Sequence, residues 1–89
     1  MNNLEYQHKG EQVILNTYAR FPMAPVKGKG AKLWDADGKE YLDFLAGIAV
    51  CSLGHCPDEL TAVLKEQAET LWHASNLYWL PKQIELAEK

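Results

Sequence analysis

A proline at position 57, two acids directly behind it, and apolar residues at helical spacing constrain this chain more than any other feature. Proline's fixed φ and missing N–H suit the first position of a helix, and Asp58 and Glu59 complement the positive end of the helix dipole. Leu60, Val63, Leu64, Gln67, Ala68 and Leu71 then recur at the period of one helix face. The pattern predicts a long amphipathic helix from Pro57 to about Leu71. A helix with one apolar stripe must lay it against something. The chain has only 89 residues, and one this short buries a modest share of its surface. A covering partner is therefore expected from the outset.

Upstream of that helix the residues read as strand and turn. "KGKGAKLWDADGKEYLDF" predicts a β-hairpin with strands around Lys32 to Asp35 and Glu40 to Phe44, Gly38 supplying the positive φ of the turn. Before it, "EQVILNT" (11–17) reads as a short helical turn with Val13, Ile14 and Thr17 on one face, ended by Pro22 and Pro25, which force an extended path. "GKG" at 28–30 reads as a flexible bend ahead of a strand. "LAGIAVCSLGH" (45–55) is apolar with two glycines and no clear period, and reads as a buried connection. A second helix starts at Pro81 with Ile84 on its apolar side and reaches Lys89 with no Gly, Asn or Pro to end it. That missing ending predicts a sequence cut within a helix. The fold class expected is α+β.

Charge and composition exclude several functions. A net charge of −3, with nine basic residues scattered among twelve acidic ones, gives no footprint for nucleic acid or an anionic membrane. No apolar run reaches the roughly 20 residues of a membrane span, and the first residues lack a signal-peptide layout. A cytoplasmic location is expected, with Cys51 and Cys56 reduced. The 47% apolar content with three Trp and four Tyr excludes a disordered chain.

Candidate chemistry is sparse. His55 and Cys56 are adjacent, which fits no common zinc spacing, and no metal site is expected. "DADG" places its glycine fourth, whereas a calcium loop needs it sixth. "GKG" lacks the Lys-Ser/Thr pair of a phosphate loop. Tyr18 and Arg20 could read a carboxylate through a hydroxyl and a charged fork, or form an ordinary surface contact. "SNLYWLP" (75–81) places Tyr78 and Trp79 in a loop, and aromatics of this kind are enriched at protein interfaces.

"NTYARFPMAPVKGKGAKLWDADGKEYLDFLAGIAVCSLGH" followed by "LWHASNLYWLPKQIELAEK" resembles the N-terminal segment of class III (ornithine-type) pyridoxal-phosphate aminotransferases. The hairpin is common to the whole class; "TYARFP", "LAGIAV" and "LWHASNLYW" resemble the acetylornithine branch and its succinylornithine relative. The resemblance implies a fold-type I enzyme of which residues 1–89 form the N-terminal part, the small-domain hairpin and the start of the interface region, with the large cofactor-binding domain absent. It implies transfer of the δ-amino group of N-acetylornithine to 2-oxoglutarate in arginine biosynthesis, in a homodimer with pyridoxal 5'-phosphate. The cofactor lysine, the Gly-Thr-rich phosphate cradle and the Asp that pairs the pyridine nitrogen all belong downstream of this segment, so no catalytic or cofactor-binding residue and no activity is expected of the 89 residues alone. Three substrate-site residues are implied: Tyr18 over the amino-acid end of the substrate, Ile48 on the tunnel wall, and Asn76 in a loop at the dimer interface near the neighbouring active site. Succinylornithine, ornithine and 4-aminobutyrate aminotransferases, or a non-catalytic interaction module, are the alternatives. One departure is visible: the family writes Gly-His-x-His-Pro where this chain has "GHCPDE", with Pro57 keeping the helix start.

Overall fold

The computed structural model describes all 89 residues as two units, Met1–Pro57 and Asp58–Lys89. The first unit opens with helix α1 (Asn3–Val13). Its start is a capping box: the Asn2 side chain accepts from the Glu5 N–H at 2.8 Å, and Glu5 accepts from the Asn2 N–H at 2.9 Å. This corrects the expected helical turn at 11–17. The helix begins eight residues earlier than residue 11 because the Asn2/Glu5 pair satisfies its free amides, and it ends at Val13, where Ile14 is already extended with φ −108°.

Three strands follow, β1 (Pro25–Lys29), β2 (Lys32–Asp35) and β3 (Glu40–Leu42), as one antiparallel sheet in that order. The β2–β3 hairpin lies where the alternation places it, with Leu33 opposite Tyr41 and Gly38 at φ +84°. β1 corrects the flexible bend expected at 28–30. Gly28 and Lys29 pair with Leu33 and Lys32, and Gly30, at φ +58°, makes the turn with Ala31. Across the sheet the Lys27 ammonium stands 4.7 Å from the Trp34 ring centroid, and these two residues are register partners.

One residue in the chain is buried, and it is a carboxylate. Asp35 is 2% exposed. Its Oδ2 accepts from Asn3 Nδ2 at 2.9 Å and from the Tyr41 hydroxyl at 2.8 Å; its Oδ1 accepts from the Asp37 and Lys39 N–H groups. Asn3 in turn receives the Ala24 and Ala36 N–H groups on Oδ1, and its own N–H donates to Asp37. The hub thus joins the first turn of α1, the entrance to β1 and the β2–β3 turn. The Asn3 bond, outweighing the opposing effect of desolvation and aided by Tyr41 and the two backbone donors, lowers the Asp35 carboxyl from 3.8 to about 2. A carboxyl lowered on folding stabilises the hub fully above its unfolded value and loses that effect as pH falls through the folded one. Protection factors of the Asp37 and Lys39 amides should therefore hold down to about pH 4 and fall toward pH 2, while the Asp35→Asn variant should lack that fall.

The second unit holds α2 (Asp58–Ala68), a loop, and α3 (Pro81–Ala87). The pattern at 57–71 locates α2, with Pro57 one residue before the helix and its end at Ala68, three residues short of the expected Leu71. Gln67 closes that end by donating from Nε2 to the Leu71 carbonyl at 2.7 Å. Pro81 starts α3 as expected. No helix is long and apolar enough to cross a membrane.

Candidate functional site

The first unit carries a groove of about 560 Å³ between α1 and the segment leading to β1. Tyr6 and Gly10 line it from the helix; Ile14, Tyr18, Arg20 and Phe21 line it from the segment. Tyr18 and Arg20 lie two residues apart in that segment, which bends at Tyr18 and again at Pro22. The Arg20 guanidinium sits 5.8 Å from the Tyr18 ring centroid. Tyr18 is 72% exposed, so ring and hydroxyl are open to a ligand. A groove of this size with aromatic walls, two phenols and one guanidinium suits a small ligand with an apolar stem and an anionic end.

Ile48 is not part of that groove. It belongs to residues 45–55, and here the expected buried connection is corrected: Leu45, Ile48, Val50 and Leu53 are all exposed. The backbone is unusual. Ala46, Gly47, Ile48 and Ala49 have φ of 53°, 63°, 57° and 65°, a single left-handed helical turn. Its bonds run from Ala49 N–H to the Leu45 carbonyl at 3.0 Å and from Cys51 N–H to the Ala46 carbonyl at 2.8 Å. L-residues other than glycine pay about 1–2 kcal/mol each in this conformation, and a β-branched side chain fits it worst.

Asp43 begins the turn. Its Oδ1 accepts from the Leu45 and Ala46 N–H groups at 2.9 and 3.0 Å. These bonds, the Ala46 one foremost, together with the His55 contact, lower the Asp43 carboxyl below its ordinary value against an opposing desolvation. Its Oδ2 lies 2.6 Å from His55 Nε2. An ionised carboxylate can only accept, so Nε2 is the donor. His55 was weighed in the sequence only as a metal ligand; the structure gives it this carboxylate. Its ring packs over Gly28, where a Cβ would lie 2.8 Å from the ring's Cγ, so no side chain fits at 28.

Asn76 belongs to the second unit. It is exposed beside a shallow groove of about 280 Å³ formed with Leu77, Tyr78, Trp79 and Gln83. Ser75, at φ +76°, turns the chain there, and its hydroxyl accepts from the Leu77 N–H at 3.3 Å. Tyr18 and Ile48 thus lie in one unit and Asn76 in the other.

Residues 13–89 match the family model for class III aminotransferases. The chain belongs to that family. It is similar to the acetylornithine aminotransferase of Caldanaerobacter subterraneus, 57% identical over 86% of the chain and 20% of the relative, and to that of Aquifex aeolicus, 58% identical over 85% of the chain and 20% of the relative. The crystal structure of acetylornithine aminotransferase from Elizabethkingia anophelis superposes with a TM-score of 0.95 at 27% identity, over 99% of this chain and 23% of that one. The chain therefore spans about a fifth of the length of these relatives.

Class III aminotransferases use pyridoxal phosphate, which needs an enclosed lysine and a cradle for its phosphate. All eight lysines are exposed. Lys27 and Lys39 stand over aromatic rings, Lys32 and Lys82 pair with Glu40 and Glu85, and Lys29 donates to the Cys56 carbonyl. Imine chemistry needs a lysine enclosed away from water, and none is. The first turns of α1 and α2 carry Glu5, Asp58 and Glu59, which oppose a phosphate. The residues of this chain do not fit the anchoring of the cofactor.

Proposed function

We propose that this segment serves an aminotransferase that moves the δ-amino group of N-acetylornithine to 2-oxoglutarate, as a cytoplasmic homodimer with pyridoxal 5'-phosphate. The observation that carries the reading is the 57–58% identity, over most of the chain, to two proteins both named acetylornithine aminotransferase. Within such an enzyme the 89 residues supply walls of the substrate site and none of its chemistry, in keeping with exposed lysines and acidic helix starts. Tyr18 lies over the substrate and donates from its hydroxyl, Ile48 borders the methylene stem, and Asn76 reaches the neighbouring subunit's site. The groove supports the first role, since Tyr18 offers a donor above an apolar floor with Arg20 beside it.

Tyr18 tests the reading. Tyr18→Phe keeps the ring and removes the donor. It should cost about 0.5–1.5 kcal/mol in kcat/KM for acetylornithine if the bond is neutral, and up to about 3 if its partner is a carboxylate. The loss should fall mainly on KM, because the contact is made equally in the ground and transition states. Tyr18→Ala should cost more, since it also opens the groove to water. Unchanged efficiency in both variants would remove Tyr18 from the site; a collapse of kcat at constant KM in the Phe variant would make it a participant in proton transfer. Assays with ornithine, succinylornithine and 4-aminobutyrate on the same enzyme decide the donor.

A further inference from the structure

A left-handed turn of four residues, three of them not glycine, does not hold itself. Ala46, Ile48 and Ala49 each sit where L-residues are disfavoured, and the turn is exposed, Ile48 to 81%, so packing does not hold it either. Beyond its two backbone bonds, what keeps it acts from its start, where the Asp43 carboxylate grips the Leu45 and Ala46 amides. That carboxylate is itself shielded, with 8% of its side chain exposed against 18% for His55.

Both residues are tied to the same place. The Asp43 N–H donates to the Ala31 carbonyl at 2.7 Å, and His55 exchanges two backbone bonds with Gly30, at 2.9 and 2.8 Å. The β1–β2 turn thus fixes the backbone on either side of residues 45–53. The His55 ring, seated over Gly28, then fixes the carboxylate through Nε2. The segment is a loop closed at its base by one side-chain pair, with its strained apolar part held outward.

We infer that Asp43 and His55 are a positioning pair that holds the left-handed turn at 46–49 in place, and with it Ile48 against the aliphatic stem of the amino donor. The inference rests on the proposed role of Ile48 as a wall of the substrate site. Neither residue touches substrate in this scheme. The pair acts through the Leu45 and Ala46 amides, and what it determines is how firmly the donor is bound.

The test uses the holoenzyme that carries this segment, with two readouts. Hydrogen exchange at the Leu45 and Ala46 amides reports whether the turn is held; steady-state kinetics report whether the holding matters to the donor. His55→Ala breaks the pair, and Gly28→Ala displaces the ring while leaving both members intact. Each should raise exchange at the two amides and raise the donor KM by about five- to tenfold with kcat within about twofold. His55→Gln keeps an N–H donor and should restore most of both. Unchanged exchange in His55→Ala and Gly28→Ala overturns the inference, whatever Ile48→Ala does. A fall in kcat with constant donor KM overturns it too, since that is what a general loss of folded enzyme gives. If exchange rises but neither His55→Ala nor Ile48→Ala moves the donor KM, the wall assigned to Ile48 is what fails, and the link from the pair to donor binding falls with it.

Discussion

Replacing Asn3 by alanine is expected to release the start of α1 from the sheet, at a cost of about 2–3 kcal/mol. The side chain makes three bonds, one to the Asp35 carboxylate and two from the Ala24 and Ala36 amides. Ala36 keeps a second acceptor, the Ala24 carbonyl at 2.9 Å, and Asp35 keeps Tyr41 and two amides. The Ala24 N–H and one lobe of a buried carboxylate are the groups left short, which sets the size of the effect. In the intact protein, exchange at the Ala24 amide should speed up about 30- to 150-fold. Asn3→Asp distinguishes a lost donor from a lost shape. It is nearly isosteric, but it puts a second carboxylate within hydrogen-bond distance of Asp35, so it should damage the hub at least as much at neutral pH and recover as acid protonates it. Equal exchange in wild type and both variants would mean that α1 is held by other contacts.

How much of this was legible depends on whether the cause was local. The Pro57 helix and the Gly38 hairpin were, because caps, period and turn chemistry act within a few residues. The start of α1 was also written locally, in Asn2 and Glu5, and was missed because the apolar residues Val13 and Ile14 drew the helix toward 11–17, where the structure leaves Val13 80% exposed. β1 was hidden by its glycines. Gly28 looks like flexibility in one dimension, and in three it is the only residue that admits the His55 ring, a partner 27 positions away. The left-handed turn could not be read at all: alanine and isoleucine carry no signal for positive φ, and what places them there is Asp43 together with its distant histidine. Of the three residues proposed for the substrate site, Tyr18 could be weighed by its Arg20 neighbour, whereas Ile48 and Asn76 came from resemblance alone.

The isolated 89-residue chain is expected to self-associate and to melt without a sharp transition. Its accessible surface is 8243 Å², whereas a folded monomer of its 10.1 kDa exposes about 5300 Å² by surface scaling. The difference is several times the roughly 800 Å² that one partner contributes to a standard interface. No hydrophobic side chain is buried anywhere, and neither α2 nor α3 buries any residue. Helices of 11 and seven residues are marginal in water unless an apolar face is covered. On α2 that face is Leu60, Val63 and Leu64, continued by Leu71, and all four are exposed. The folding energy of these elements must therefore come from surface that something else covers, and in its absence copies of the chain offer the nearest apolar match. Sedimentation velocity across a hundredfold range of concentration should show mass rising with concentration, with helicity rising alongside it. A monomer of constant mass with a cooperative thermal transition would show instead that the sheet and the Asp35 hub suffice to fold these residues alone.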